Sequence, residues 1–506
     1  MNKSLPEQMG FERSSLSFDQ KMQHLMAFRN EWKLYKRKCD FTGESFLSAY
    51  NPDCPFTVYK NSVWWGDEWN AMDYGQDFDY NRPFFEQYRE LQLKVPREGT
   101  AATNSQNCDY NGHIRDSKNC YLNGLAVGCE DVHYSYWVVN DKDVVDCMNT
   151  NNSTLCYECI DAENCYGCIE CQDVKDCSDC LFSYQLVNCK NCVLCTNLVN
   201  KEYCIENKQV SKGEFEQAKA YALAHFEELR TKFLNMKAKT VHKAAHNINC
   251  ENLTGDHFLN SRNSENVFDG NDSEDVVDSI SVADGKDIDS CYSAGWPGCE
   301  KVYFSGVSRG CTDVAFCFYC WNSSGLRYCD AMSGSHDSFG CIGLRHKKNC
   351  ILNKQYSEEE YGQMVNKIIE HMKKTGEWGQ FLTVRYSPFA YNETAAQDYY
   401  PLTKETAPTW YSQESAVSDV GDACVCEVSG KPFRLTPAEV EFYKKVHLPS
   451  PKRHPMQRFK DRLSLRNPRH LWDRKCDKCA IDLKSSYAPT RPEKIYCHEC
   501  YLKEVY

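Results

Sequence analysis

Four cysteines near the C-terminus have the spacing of a metal site: Cys476-Asp-Lys-Cys479 and Cys497-His-Glu-Cys500 are two CxxC knuckles separated by seventeen residues. Thiolates at that separation can close a tetrahedral Zn²⁺ shell between two short hairpins. The neighbours Lys478, His498 and Glu499 are too polar for a merely buried apolar cluster. Zinc is therefore the expected cofactor. Cys426-Glu-Val-Ser429-Gly430 repeats the first knuckle, with His454-Pro-Met-Gln457 where a second would fall. Cys426 and His454 alone make a poor metal site, and a metal-free fold held by Phe433, Phe442 and Tyr443 is the better reading.

A second group of thiols lies further upstream. Cys165, Cys168, Cys171, Cys177, Cys180, Cys189, Cys192 and Cys195 crowd into one stretch, and soft ligands at strand spacing suit Zn²⁺, Cu(I) or an iron–sulfur cluster. A metal-storing or redox role is one reading. The other is that they fill space, since Val and Ser take the same places elsewhere, which a filler permits and a ligand does not. Of other chemistry there is little. Gly306-Val-Ser308-Arg-Gly310 fits GxSxG but no histidine and acid follow in a hydrolase-like context, and His242 and His246 read as a solvated linker face without an HExxH pattern. No phosphate loop, dinucleotide fingerprint or small-molecule substrate is evident, so a non-enzymatic protein is expected.

Charge is uneven. From Lys431 to Lys475 there are 13 Lys+Arg against 4 Asp+Glu, a net of +9, in a chain of −12 overall, so the remainder carries −21. Arg458, Lys460, Arg462, Arg466 and Arg469 run into the CxxC pair and could meet RNA, a ribonucleoprotein or an acidic protein. The competing reading is self-docking onto the acidic remainder.

The elements that must position these groups follow from a period. Cys108, Cys120, Cys129, Cys147, Cys156, Cys159, Cys165, Cys168, Cys171, Cys177, Cys180, Cys189, Cys192, Cys195 and Cys204 all stand at multiples of three. Cut at twelve residues from Ser105, the fourth place holds Cys or Val, the seventh a small or polar residue, the tenth mainly Val, Leu or Ala, and the twelfth usually Asn or Asp. A period of three is neither helical nor strand-like, so the chain must turn at almost every triplet. A narrow β-solenoid of twelve residues per coil satisfies this, its equal places stacking about 4.8 Å apart. Only small residues fit inside, while Asn tolerates left-handed corners and can ladder its amide along the stack. A second array starts near Ser261, slips at Pro297-Gly298, stacks Cys317, Cys329 and Cys341, and ends at Cys350. The endings match as Asn207-Lys208-Gln209 and Asn353-Lys354-Gln355, and Ser211/Glu214 and Ser357/Glu360 read as capping boxes. Helices near 212–236 and 358–375 are expected to cover the open end of each array.

The C-terminal knuckles also have a gapless relative at the other end. Arg37-Lys38-Cys39-Asp40 matches Arg474-Lys475-Cys476-Asp477, with Thr42, Lys60 and Val63 in place of the other three cysteines, so this copy cannot hold the same metal. Trp64, Trp65 and Trp69 read as part of a packed cap on the first array.

The inward period resembles that of beetle antifreeze proteins, without their Thr-x-Thr column. Through FDYNRPFFEQ (78–87), NKQYSEEEY (353–361), YYPLTKE (399–405), EFYKKVHLPSP (441–451) and RNPRHLW (466–472), most of the chain resembles an uncharacterised family of cysteine-rich proteins from uncultured candidate-phyla bacteria. That resemblance implies zinc-ribbon segments around cysteine-rich repeats and supplies no activity.

At 506 residues and 42% hydrophobic, the chain has room for several domains with a sizeable core. Its N-terminus has no apolar h-region and no stretch approaches eighteen apolar residues, so a cytoplasmic protein without membrane contact and with reduced thiols is expected. The expected fold is mainly β with α: two twelve-residue-per-coil β-solenoids, each capped by a helix, flanked by zinc-ribbon-like modules. The expected divisions are 1–95 (N-terminal helix and degenerate ribbon), 100–236 and 249–391 (the arrays with their helices), linkers at 237–248 and 392–423, and 424–506 (basic region and ribbons). The expected function is a zinc-binding scaffold that contacts a macromolecule through its basic C-terminal region.

Overall fold

The computed structural model describes residues 5–12, 16–281, 285–286, 288–293, 299–310, 313–318, 320–380, 382–412 and 424–505. Strands and helices mix, with strand the larger share. Between Ala101 and Gln209 the chain returns to the same place every twelve residues, as the parallel registers Met148↔Ile160, Lys142↔Thr154 and Tyr184↔Thr196 record. One side of this stack is a nine-stranded parallel sheet, and the other carries strands such as Lys142–Val145 and Lys190–Val193. From Asp131 to Glu206 every third residue has a left-handed backbone, with φ between +49° and +57° wherever it is not glycine. That conformation costs an L-residue roughly 1–2 kcal/mol outside Gly, Asn and Asp. It recurs because each turn aims the following residue inward and aligns its neighbours' amides with the next coil.

The interior explains the residue types. Cys156, Cys159, Cys168, Cys180 and Cys192 are fully buried with Val132, Val144, Ala162 and Leu186. At the seventh place the side chain also accepts a hydrogen bond from the backbone N–H one coil later: Ser135 N–H donates to Asn123 Oδ1 at 2.9 Å, Cys147 N–H to Ser135 Oγ at 3.1 Å, and Cys195 N–H to Ser183 Oγ at 3.2 Å. Amide ladders run along the twelfth place, with Asn164 Nδ2 donating to Asp176 Oδ1 at 3.0 Å and Asn188 to Asn200 at 2.6 Å.

The second array repeats this spacing, as in Cys317↔Cys329, Ser324↔His336 and His336↔Lys348. Its first coil is one residue shorter, Glu251↔Arg262 giving way to Gly255↔Val267 through a bulge. A Cβ at Gly255 would lie 2.0 Å from the Val267 carbonyl oxygen, so only glycine fits. The slip at Pro297-Gly298 lies outside the described residues. Both arrays end alike in short antiparallel hairpins, Cys204↔Gln209 and Cys350↔Gln355. In each, an asparagine amide pairs like a strand residue with the preceding coil: Asn207 bonds the N–H and C=O of Thr196 at 2.9 Å each, and Asn353 those of Ile342 at 2.8 Å each.

The helix after the first hairpin does not stop at the open end of its array. Capping boxes do open helices at Ser211 and Ser357. The first splits at His225 into Lys212–Ala224 and Phe226–Lys239, which lie along the flank of the array, where Phe226 meets Tyr157 and Phe182 and Phe215 meets Tyr203. The tryptophan run packs on the second array and not on the first: Arg345 lies over the Trp64 and Trp69 rings, and Phe84 meets Tyr328 and Phe339. Two expected linkers are packed elements. Val241–Lys243 is a strand, and Glu393 is buried against Tyr35 and Asn51, followed by the helix Ala395–Tyr399 with Ala395 and Ala396 in the core. Residues 413–423 lie outside the described residues.

Candidate metal centre

The C-terminal module begins with the hairpin Trp472–Lys475 and Asp482–Ser485, joined by the first knuckle. Cys476 N–H donates to Ile481 O at 2.9 Å and Ala480 N–H to Cys476 O at 2.9 Å, with Ala480 at φ +61°. The same turn recurs at Cys39, where Gly43 takes the left-handed position, and at Cys426, where Gly430 does. The N-terminal relative matches in finer detail. Val58 N–H donates to Asp40 and Ile495 N–H to Asp477 at 2.7 Å each, while Lys60 N–H reaches Cys39 Sγ at 3.4 Å and Cys497 N–H reaches Cys476 Sγ at 3.3 Å. Three knuckles share one scaffold, and four cysteines converge at only one of them.

At that one, Cys476, Cys479, Cys497 and Cys500 bring their sulfurs within 4.8 Å of one another, a group that could hold a metal ion. Cys479 Sγ and Cys497 Sγ are 3.7 Å apart. A tetrahedral ion with thiolate bonds of about 2.3 Å separates its sulfurs by about 3.8 Å, so the donor set fits. Burial would push the Cys476 thiol up, but the backbone amides of Cys497, Cys479 and Lys478 point at it and bring it down to about 6. A lowered thiol pKa favours the thiolate that a cation binds. Cys479 is exposed and Cys497 half-buried, which leaves an entry path.

The module is docked on the rest of the chain. Lys494–Tyr496 pairs in parallel with Val241–Lys243, and the Tyr501 hydroxyl donates to Gln185 at 2.6 Å and Asn197 at 2.8 Å. His242 and His246, expected on a solvated face, point inward. His242 Nδ1 lies 3.0 Å from the Tyr184 hydroxyl and 3.1 Å from that of Tyr487, while His246 Nδ1 faces Asp256 at 3.0 Å.

Four arginines of the basic segment face inward, which corrects their assignment to an external partner, while Lys431, Arg434, Lys444, Lys445, Lys452 and Lys475 stay exposed. Arg458 ion-pairs with Asp146 and with Glu439 at 3.1 Å, and Arg462 with Asp146 at 3.0 Å and Glu158 at 3.2 Å. Arg466 pairs with Asp161 and Asp269, and Arg469 with Asp269. These four side chains are at most 6% exposed, because buried array carboxylates need compensating charge. Of the five expected contact residues only Lys460 stands in solvent.

Cys426 and His454 do not form a metal group among the described residues. His454 Nδ1 is engaged in capping the helix Pro455–Leu465, accepting from Met456 N–H at 3.1 Å. The array thiols Cys165, Cys168, Cys171, Cys177, Cys180, Cys189, Cys192 and Cys195 are buried and make no such group either. They donate to nearby carbonyls instead, Cys171 to Cys180 O at 3.2 Å and Cys165 to Glu163 O at 3.3 Å. In the second array Cys317 and Cys320, at neighbouring inward corners with Cα atoms 6.0 Å apart, are joined as a disulfide, which an expectation of reduced thiols did not include. Among the described residues no helix is long and apolar enough to cross a membrane. No family model, curated protein or solved structure matches the chain.

Proposed function

We propose that this chain is a non-enzymatic, zinc-dependent interaction scaffold: two β-solenoids held together by a zinc ribbon, its two metal-free relatives and the basic segment between them. The observation that carries the reading is the convergence of Cys476, Cys479, Cys497 and Cys500 in a module whose strand Lys494–Tyr496 pairs with Val241–Lys243, between the two arrays. Closed tetrathiolate zinc sites contribute folding free energy and leave no open coordination position for a reaction. In this reading zinc fixes the ribbon, and the ribbon fixes the joint.

The partner is a macromolecule met by the solvent-facing side of the first solenoid. There Asn140, Asn152, Asn164, Asp176, Asn188 and Asn200 form an exposed column beside Lys142, Tyr166 and Lys190. This amide-rich surface suits a protein better than RNA, since the arginines that would neutralise phosphates are already paired. The metal-storing or redox alternative is less well supported by the array thiols. Equal places of adjacent coils stand a strand spacing apart, about 4.8 Å, wider than the roughly 3.8 Å a tetrathiolate ion needs, and no three of the eight array thiols come within 4.8 Å of one another.

Native mass spectrometry tests the reading. Replacing Cys497 by Ser should lower the metal count by one zinc per chain and loosen residues near 470–506 while both solenoids stay folded. An unchanged count would contradict it.

A further inference from the structure

Where the first array, the start of the second and the end of the helix Pro455–Leu465 meet, the chain lines a half-open cavity of about 150 Å³. Asp161 and Asp173 line it from equal places of adjacent coils, so they stack on one wall, and His257 enters from the strand Glu251–Leu259. His257 Nε2 lies 3.1 Å from Asp173 Oδ1 and 3.6 Å from Asp161 Oδ2, with all three atoms within 4.8 Å of one another. The other ring nitrogen, Nδ1, is 3.4 Å from Asp256 Oδ1.

Asp256 is held rigidly. It accepts from the backbone N–H groups of His246 at 2.7 Å and His257 at 3.0 Å, and from the Ser486 hydroxyl. A carboxylate that takes the Nδ1 proton of an imidazole fixes its tautomer and sends the Nε2 lone pair the other way, the usual outer shell of a metal-bound histidine. Here Nε2 meets two carboxylates: as an imidazolium it donates to Asp173 at 3.1 Å, while Asp161 Oδ2 accepts from Arg466 Nε at 2.9 Å, and a cation between the three atoms would take the place of that proton. A proton joins only two of the three atoms. An ion with bonds of about 2.1 Å joins all three, because ligand atoms around it sit about 3.0 Å apart in octahedral and about 3.4 Å apart in tetrahedral geometry.

The surrounding carboxylates favour a cation: Asp161, Asp173, Asp256, Asp269 and Glu493 lie here with Arg466, Arg469, Arg491 and Lys237, five carboxylates against four cationic side chains besides the imidazoles.

We propose that His257, Asp161 and Asp173 bind a divalent cation of the Mn²⁺, Fe²⁺ or Zn²⁺ class, with Asp256 as the positioning residue and the remaining coordination positions open to the cavity. Imidazole with two carboxylates suits these ions and is unlike the all-sulfur ribbon, so the two sites would select different metals.

The test is titration of the zinc-loaded full chain with Mn²⁺, followed by electron paramagnetic resonance. The expected result is one saturable Mn²⁺ per chain whose pulsed spectrum shows coupling to one imidazole nitrogen. His257→Gln and Asp173→Asn should weaken binding by at least about tenfold, and Asp256→Asn by about 10–100-fold, with the ribbon zinc retained. Absence of saturable Mn²⁺ binding by the wild-type chain, absence of nitrogen coupling, or unchanged affinity in folded His257→Gln and Asp173→Asn chains would each overturn the proposal. The wild-type measurements decide it even if a variant fails to fold.

Discussion

The guanidinium of Arg466 holds Asp269 at 2.6 Å across 197 positions of sequence, and its Nε simultaneously reaches Asp161 at 2.9 Å. Asp161 belongs to the first array and Asp269 to the second, so one side chain pins both. Removing it leaves the nearly buried Asp161 without a guanidinium and Asp269 with Arg469 alone. Arg466→Ala should therefore destabilise the chain by about 3–5 kcal/mol, the usual cost of breaking a buried pair from one side. Chemical denaturation measures this directly. If Arg466 instead served an external polyanion, the variant would keep its stability and lose nucleic-acid binding.

Inside the first array, tolerance should follow place and not residue type. The contacts of Cys168 to carbonyls are long, 3.8 Å to Tyr166 O and Cys177 O, and its other neighbours are thiols, so Cys168→Val should cost less than about 1.5 kcal/mol. Ser183 accepts the Cys195 N–H at 3.2 Å, and Ser183→Val leaves that buried donor unpaired at about 1–3 kcal/mol. Comparing the two denaturation midpoints checks the ordering, which reverses if the thiol at 168 is a ligand.

The two terminal asparagines make the same pair of bonds in different surroundings. Asn353 is fully buried and also donates to Ala71 O at 2.9 Å, whereas Asn207 is exposed. Asn353→Ala should destabilise by roughly 2–4 kcal/mol and Asn207→Ala by about 1 kcal/mol or less, since water replaces only the second set of bonds. Equal losses would show that the amide's role is conformational, through the left-handed backbone both residues share.

Asp141 places a carboxylate inside the array, accepting from Ser153 N–H at 2.7 Å and from the Thr150 hydroxyl. Burial raises its pKa to about 7, only partly opposed by those two bonds. The folded state therefore holds a proton that the unfolded chain releases near 4, and this group's penalty is absent below about 4 and complete above about 7. Asp141→Asn should stabilise the chain at pH 8 by about 2–4 kcal/mol and leave it unchanged at pH 4. Paired urea melts at the two pH values check both sign and window.

How far the sequence discloses this molecule depends on the range of the interaction. The period of three is legible because each inward residue follows a left-handed turn set within its own triplet, as at Asn140 and Asn152. The matching Asn-Lys-Gln endings are legible because one asparagine reaches back only eleven residues to its partner. The CxxC pair is legible for the same local reason. Docking leaves no such trace. Nothing near Trp64 or Trp69 reveals that Arg345 will cover them, and nothing near Arg458 reveals Asp146. The cations of the basic segment are plain in composition, but whether they face solvent depends on acids some three hundred positions away. His257 escaped notice because its partners Asp161 and Asp173 come from another array.

The central claim is a division of labour among the cysteines: four bind metal, and the array cysteines pack. Cobalt(II) titration of the fully reduced, metal-free chain tests it most directly, because only thiolate ligation produces intense sulfur-to-cobalt charge-transfer absorption. The account predicts that this absorption saturates at one equivalent and vanishes in Cys497→Ser, whatever weaker cobalt binding nitrogen and oxygen ligands add. Charge transfer that keeps growing over several equivalents, or that survives Cys497→Ser, would contradict it and return the array thiols to metal chemistry.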